Sequence, residues 1–125
     1  MAEKERKEGE NFLVFDVGGY PLAVRISQVR KVMDKNSADP DLEMVDLTQI
    51  LGNRMKTADF RLEVMMEGKA KSVPVDFVEP IKDLRLAVWL DFPKIMRRKN
   101  NKIIEGFFFD GSRMITLIDL ERIAA

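Results

Sequence analysis

Hydrophobic and polar side chains alternate with a period of two residues, as in a half-buried β-strand, along two long stretches of the chain. The first stretch, residues 11–26, is interrupted by a Gly18-Gly19 pair, and the second, residues 60–81, is interrupted at Gly68. Glycine at such an interruption is typical of the turn between two antiparallel strands. Both stretches are therefore predicted to form β-hairpins.

A third hairpin is predicted near the end of the chain, where apolar residues follow one another with little alternation. Phe107–Phe109 form the first arm and Met114–Ile118 the second, and the Asp110-Gly111 pair between them is a strong signal for a type I′ turn. Strands without alternation are usually covered on both faces. We expect these arms to lie between packed layers or inside a small closed barrel.

Two aspartates, Asp46 and Asp119, directly follow apolar strands and precede short helical patterns. A carboxylate at this position can accept hydrogen bonds from the free N–H groups of the first helical turn, and it suits the positive end of the helix dipole. Both aspartates are therefore predicted to cap short helices rather than to act in catalysis.

The chain contains an internal repeat. An offset of 49 in residue number places the first hairpin on the second and Gly19 on Gly68 (68 − 19), whereas the Val45-Asp-Leu and Ile118-Asp-Leu segments match at an offset of 73 (118 − 45). The second half is therefore longer than the first by the difference between these offsets (73 − 49). That difference is about the length of one β-hairpin, so the first half is predicted to be truncated.

Composition narrows the chemistry available to this chain. Lys plus Arg and Asp plus Glu are equal at 21 each, and the 125 residues include no cysteine and no histidine. Disulfides, the usual zinc sites, thiol nucleophiles and histidine proton relays are thereby excluded. We expect no cofactor, no metal site, no catalytic residues and no enzymatic activity.

The expected organisation is one domain after a short tail. Residues 1–10 are charged, lack the apolar run of a signal peptide and are predicted to be disordered. Residues 11–125 are predicted to form a single domain with halves at about 11–55 and 56–125, which can exchange strands. Since no window approaches the length of a membrane span, a cytoplasmic protein without membrane contact is expected.

Three segments, in this order, resemble the CheW-like domain of bacterial chemotaxis adaptors and of the regulatory domain of their histidine kinase. They are "FLVFDVGGYPLAVRISQVRKVM", "SVPVDFVEPI" with Val75, Asp76 and Val78, and the closing hairpin with Gly106, Asp110-Gly111 and Asp119-Leu120. The resemblance implies a mainly β fold of two SH3-like small β-barrel subdomains, and a non-enzymatic scaffold. It implies a chemotaxis histidine kinase, a chemoreceptor tip or another CheW-like domain as partner.

The first half departs from the family pattern, because the family's hairpin with Asn-Leu-Arg-Gly is replaced by the direct connection "DKNSADPDLEMVDL". A barrel without this hairpin is expected to leave an open edge and uncovered apolar side chains. The tail, a second copy in a homodimer, or a partner strand can complete it. The predicted partner-binding residues are Val29, Val32, Met33, Met44 and Leu47.

An alternative function is a stand-alone small-barrel module that binds nucleic acid or another protein. The basic residues that could contact phosphate are Lys94, Arg97, Arg98, Lys99 and Lys102. Few aromatic residues accompany them, so nucleic acid is disfavoured as a partner. Trp89 is expected in the core. Four carboxylates near the second hairpin are expected to be solvated, namely Glu63, Glu67, Asp76 and Glu79.

Overall fold

A computed structural model of the chain describes residues 11–48, 54–79, 82–83, 88–91 and 103–123. This part is mainly β-structure, with short 3₁₀ helices at Ile26–Gln28 and Leu120–Ile123. The strands are β1 (Asn11–Val17), β2 (Tyr20–Arg25), β3 (Val29–Asp34), β4 (Phe60–Met66), β5 (Lys69–Val75), β6 (Phe77–Val78), β7 (Lys82–Asp83), β8 (Val88–Asp91), β9 (Ile104–Phe109) and β10 (Met114–Ile118).

The strands form two sheets. The large sheet has the order β6-β1-β2-β10-β9-β8, and β7 also pairs with β1. The small sheet has the order β3-β4-β5 and is extended by a parallel bridge between Met44 and Ser72 of β5. Neither sheet closes into a barrel within the described residues. The expected mainly β fold with two subdomains is therefore confirmed as two sheets.

The first two predicted hairpins are confirmed, and both use two-residue turns. Gly18 and Gly19 have φ angles of 60° and 90°, and Glu67 and Gly68 have 54° and 74°. Positive φ at both central residues is the requirement of a type I′ turn, whose twist matches the twist of the flanking strands. Glycine fits this conformation without strain, which explains why a glycine marks both turns.

The third hairpin is also confirmed, but its predicted type I′ turn is wrong. Met114 pairs with Phe109, so four residues (110–113) form the loop. Asp110 closes this loop with its side chain, since Oδ1 accepts hydrogen bonds from the N–H groups of Ser112 (3.0 Å) and Arg113 (3.1 Å). The loop is therefore closed by side-chain hydrogen bonds of Asp110, and not by the two-residue backbone turn that was predicted.

The repeat is present in the fold with the offset found in the sequence. The residue numbers at the start and at the end of β4 exceed those of β1 by 49 (60 − 11 and 66 − 17). Phe15 of β1 pairs with Val78 of β6, and Val64 of β4 pairs with Val29 of β3, so these two pairs are related by the same offset (64 − 15 and 78 − 29). Each hairpin therefore pairs with the strand that follows the hairpin of the other repeat, so the halves exchange strands.

One core joins the two sheets. It contains the apolar side chains on the facing sides of both hairpins, with β10 and the residues around it. Its buried members are Leu13, Phe15, Val17, Leu22, Val24, Leu47, Leu62, Val64, Met66, Val73, Val75, Ile103, Ile118 and Leu120. This shared core fixes the sheets to one another through burial of apolar area.

A second, inner core lies on the opposite face of the large sheet. Phe108 of β9 contacts Phe12 of β1 and Trp89 of β8, with ring centroids 5.0 and 4.8 Å apart. Since β1 and β9 are separated by two strands, this contact requires the sheet to curl around its own side chains. Trp89 is 5% exposed, so its predicted place in the core is confirmed.

Among the described residues, the small sheet has no counterparts of β8 and β9. Met44 pairs in parallel with Ser72 as Leu117 of β10 pairs with Ala23 of β2, at the offsets of 73 (117 − 44) and 49 (72 − 23) found in the sequence. In the large sheet β9 and β8 continue beyond β10, whereas no described strand continues beyond Met44. The predicted truncation therefore falls on a sheet built from both halves and not on the first half alone.

Several predictions concern residues outside the described part of the chain. These are the tail at 1–10, the part of the short helix predicted after Asp46 that would lie beyond Thr48, and the basic residues at 94–102. Among the residues that are described, no helix is long and apolar enough to cross a membrane.

Candidate protein-interaction surfaces

The bridge at Met44 leaves an open edge. The N–H of Val45 donates to the carbonyl of Ser72 (2.8 Å), and the N–H of Ser72 donates to the carbonyl of Glu43 (2.9 Å). Because backbone groups alternate in direction along an extended segment, the N–H and C=O of Met44 point away from β5. No described strand pairs with them, so residues 43–45 form an open edge of the small sheet.

The face of the small sheet that would line a barrel is partly polar. At four positions its residues match the inner core of the large sheet, and at three of these an apolar side chain is replaced by a charged or polar one. The matched pairs are Phe12 and Arg61, Val14 and Glu63, Ala23 and Ser72, and Leu117 and Met44. Uncovered apolar side chains are present at Val32 and Met44, which are 41% and 57% exposed, but Arg61, Glu63 and Ser72 make much of the lining polar.

Glu63 is the centre of this charged face. It is 6% exposed, and its carboxylate lies 3.5 Å from Nε of Arg30 and 3.8 Å from Nζ of Lys31. The register of β3 shifts between Val29 and Lys31, which makes Arg30 the extra residue of a β-bulge. A bulge places neighbouring side chains on one face, so both cations can reach Glu63. The expected solvation of Glu63 is wrong.

We use the term charged face for the side chains that share this side of the small sheet. Methionines lie beside the charges, and the guanidinium of Arg30 is 3.8 Å from Sδ of Met65. Directly paired residues share a face, which places Met33 with Arg61 and Lys31 with Glu63. The charged face comprises Arg30, Lys31, Met33, Met44, Arg61, Glu63, Met65 and Ser72.

The predicted partner-binding residues do not form one surface. Leu47 is completely buried in the shared core, so its expected exposure is wrong. Val29 is half-buried against the same core. Met33 is half-buried, whereas Val32 and Met44 are 41% and 57% exposed. Only Met33 and Met44 lie on the charged face, and binding by either remains a prediction.

A row of exposed apolar side chains crosses the large sheet, and the sequence pattern gave no sign of it. Phe109 of β9 pairs directly with Val88 of β8 and with Met114 of β10. The three side chains share one face and are 42%, 46% and 43% exposed, respectively. Adjacent exposed apolar residues of this kind mark interaction sites more often than single ones do. We call these residues the apolar row.

Asp76 holds two separate segments together. Its carboxylate accepts hydrogen bonds from the N–H groups of Gly18 (2.8 Å), Lys56 (3.0 Å), Thr57 (2.8 Å) and Ala58 (2.7 Å). Partial burial alone would raise the pKa of Asp76, but the four donors outweigh it and hold the pKa below the usual 3.8. Asp76 is therefore a structural clamp, and the expectation that it is solvated is wrong.

Glu79 also has a structural partner. Its two carboxylate oxygens accept hydrogen bonds from the guanidinium of Arg113, both at 2.5 Å, which ties β6 to the loop before β10. Burial, and then repulsion from Glu79, raises the pKa of the neighbouring Asp16, while Arg113 opposes the shift. The expected solvation of Glu79 is wrong as well.

Both predicted helix caps are confirmed. Asp46 accepts a hydrogen bond from the N–H of Thr48 (2.9 Å), and Asp119 accepts one from the N–H of Glu121 (3.1 Å). Asp119 also accepts a hydrogen bond from the side-chain amide of Gln28 (2.8 Å), which joins the two 3₁₀ helices. The role of these aspartates is structural.

Little in the described residues points to a small-molecule or metal site. A shallow, open depression of about 240 Å³ lies on the large sheet and is lined by Tyr20, Leu22, Ile104 and Thr116, without a charged side chain. Across the described ranges, no group of three or more Asp and Glu side chains is placed to hold a metal ion.

Comparisons with known proteins give a likeness in structure but not in sequence. No protein-family model matches the chain, and no curated protein matches it in sequence. The fold is similar to the crystal structure of the scaffolding protein TtCheW from Thermoanaerobacter tengcongensis, with a TM-score of 0.67 and 16% identity over 89% of each chain. The chain therefore has a CheW-like fold, which confirms the resemblance at the level of the fold.

Proposed function

We propose that the protein is a non-enzymatic scaffold or adaptor of chemotaxis-type signal transduction. In this proposal it acts in the cytoplasm and binds the regulatory domain of a histidine kinase, the tip of a chemoreceptor, or both. The observation that carries the proposal is the CheW-like fold, shared over 89% of each chain with a protein described as a scaffolding protein. The structural roles of Asp76, Glu79 and Asp119 further support a binding function over an enzymatic one.

The apolar row is the surface that we expect a kinase or receptor partner to bury. It lies on the large sheet, which retains β8 and β9. Aromatic residues and methionine are enriched in the buried centres of protein interfaces, and Phe109 and Met114 are of these types. The truncation removes strands from the small sheet only, so binding through the large sheet does not require the missing hairpin.

The proposal is tested by measuring binding to the isolated regulatory domain of a chemotaxis histidine kinase and to a receptor-tip fragment. Titration calorimetry with a duplex DNA and an RNA as controls separates it from the nucleic-acid alternative. We expect saturable binding to at least one of the two protein fragments and none to the nucleic acids. Binding to nucleic acid alone would contradict the proposal.

Two matched variants locate the binding surface. Phe109→Glu places a charge in the apolar row and is expected to weaken binding by about tenfold or more, as for loss of a central interface residue. Val32→Glu makes a similar change at an equally exposed position of the small sheet and is expected to leave affinity within about twofold. The reverse result would assign the partner to the small sheet.

A further inference from the structure

The open edge has the geometry of a strand-binding site. The N–H and C=O of Met44 point away from β5, and no described residue pairs with them. At the matching position of the large sheet, Leu117 pairs with Gly106 of the antiparallel strand β9. The backbone at Met44 therefore offers the hydrogen-bonding groups that β10 uses to hold β9.

The charged face extends from this edge across β5 and β4 to β3, and it carries more positive than negative charge. Its cations are Arg30, Lys31 and Arg61, and its one carboxylate is Glu63. The side chains of Arg30 and Lys31 are 56% and 62% exposed, so both remain accessible while they contact Glu63. A strand laid along the face would meet this excess of positive charge.

Neither the nearby carboxylate of Glu43 nor the hydrogen bonds made by Arg61 neutralise that positive charge. The side chain of Glu43 lies on the other face of the small sheet, where it pairs with Lys71 (3.3 Å). Arg61 donates hydrogen bonds to the backbone carbonyls of Ala58 and Phe60, and no carboxylate among the described residues pairs with it. The charged face thus suits carboxylate groups of a ligand.

Methionine side chains provide the apolar part of the same surface. Met33, Met44 and Met65 lie among the charges and are half-buried or exposed. Flexible thioether side chains adapt to apolar residues of different shapes. A segment in which acidic and small apolar residues alternate or intersperse would therefore find partners for both kinds of side chain.

A second copy of the chain fits this surface poorly. Two copies that paired through residues 43–45 would add the partner copy's Met44 to this face, and Met44 supplies no carboxylate to the cations of β3 and β4. The other edge of the small sheet, β3, carries exposed Arg30, Lys31 and Asp34 and a bulge, which are features that prevent edge pairing. A different chain with acidic side chains therefore fits this surface better than a second copy.

We propose that the open edge and the charged face together bind an extended acidic segment of a partner protein, which adds a strand where β9 lies in the large sheet. This inference goes beyond the proposed function and does not depend on it, because it concerns the small sheet and not the apolar row. The proposal also explains what the missing hairpin changes. In the large sheet β9 occupies the edge of β10, whereas the matching edge at Met44 is left open to a partner.

The test uses two labelled ten-residue peptides and the full chain. One peptide alternates glutamate with valine or threonine, and the other has lysine at every glutamate position. Fluorescence anisotropy is expected to show binding of the acidic peptide only, weakened by added salt as expected for exposed charge pairs. Equal binding of both peptides, or binding of neither, would overturn the proposal.

Matched variants test the two components of the site separately. Met44→Pro removes the outward N–H while the bonds of Val45 and Glu43 to Ser72 remain, and it should abolish binding, whereas Met44→Leu should not. Lys31→Glu should weaken binding by about tenfold or more, whereas Lys35→Glu, which pairs with Asp59 away from the face, should have little effect. Circular dichroism confirms that each variant is folded.

Two other outcomes decide against the proposal. If all four variants bind the acidic peptide equally, the peptide binds elsewhere on the molecule. If sedimentation shows a dimer that Met44→Pro dissociates, the edge is occupied by a second copy. Loss of kinase binding in Phe109→Glu with peptide binding retained would separate the two surfaces and support both proposals.

Discussion

The carboxylate of Asp76 accepts hydrogen bonds from four backbone N–H groups, and this arrangement has a measurable dependence on pH. The pKa of Asp76 is lower in the folded chain than its usual 3.8. The stability that it contributes is therefore fully present above that value and is lost as the pH falls through the folded pKa. Below both pKa values the carboxyl group is protonated in either state and contributes nothing.

Asp76→Asn is accordingly expected to lower the free energy of unfolding by about 1.5–3 kcal/mol at about pH 7, since hydrogen bonds to a charged acceptor are lost. Urea unfolding at about pH 7 and about pH 3 should show that the difference from the parent chain shrinks in acid. Asp59→Asn, at an exposed carboxylate, serves as the control and should change stability by less than about 0.5 kcal/mol. If the difference in the free energy of unfolding between Asp76→Asn and the parent chain did not change with pH, the ionised carboxylate of Asp76 would not be what stabilises the fold.

Gly106 is required for close packing of β8 against β9. A Cβ atom at this position would lie 2.5 Å from the carbonyl oxygen of Leu90 and 2.7 Å from two ring carbons of Trp89. Gly106→Ala is therefore expected to lower the free energy of unfolding by about 1–3 kcal/mol, the usual cost of overpacking. Chemical denaturation followed by the fluorescence of Trp89 measures the change. An unchanged midpoint would show that β8 is not packed on β9 at this point.

At the scale of the elements, the sequence predicts the hairpins better than it predicts which other strands pair with them. The period of two and the glycines at Gly19 and Gly68 specify β1–β2 and β4–β5, because these signals are local. The exchange of β3 and β6 between the hairpins is not local, since it depends on the fit of the two hairpins across the shared core. The turn after β9 escapes prediction because a side-chain hydrogen bond of Asp110 closes the loop.

The polar residues in the lining of the small sheet explain how that sheet can remain folded with no counterparts of β8 and β9 among the described residues. A triple variant, Arg61→Phe with Glu63→Val and Ser72→Ala, restores the residues found at the matching positions of the large sheet. We expect it to expose a continuous apolar face and to associate, since large apolar patches promote aggregation. Light scattering and binding of a hydrophobic dye measure the effect.

The control for that variant keeps the polar character of the lining, with Arg61→Lys, Glu63→Gln and Ser72→Thr. It is expected to lose stability, because Glu63 loses its charge contacts with Arg30 and Lys31, but to remain dispersed. A triple apolar variant that stays dispersed and binds no dye would mean that other residues cover the face.

At the scale of the whole molecule, the repeat and its missing hairpin could be predicted because they follow from spacing along the chain. Strand pairing reproduces both offsets in residue number, 49 and 73. Val64 pairs with Val29 as Phe15 pairs with Val78, and Met44 pairs with Ser72 as Leu117 pairs with Ala23. The candidate surfaces could not be predicted in the same way. Leu47 and Val32 are both apolar positions in the sequence pattern. Only the packing of the shared core shows that Leu47 is buried and Val32 is exposed.

The apolar row and the charged face escape prediction for a related reason. Val88, Phe109 and Met114 are distant in sequence and become neighbours only through the pairing of three strands. Polar residues such as Arg61 and Glu63 are common on the outward face of a strand. They indicate a changed lining only when the repeat aligns them with Phe12 and Val14, which are buried in the large sheet. A comparison of the two repeats, position by position, was the available signal.

Amide hydrogen exchange at Met44 and Leu117, measured by NMR on the free protein, distinguishes an open edge of the small sheet from a completed one. We expect fast exchange at Met44, whose N–H has no partner among the described strands, and strong protection at Leu117, which pairs with Gly106 of β9. Val45, which donates to Ser72, should be protected and shows that the segment is folded. Protection of Met44 equal to that of Leu117 would show that another strand already pairs with residues 43–45, so that the small sheet has no open edge there.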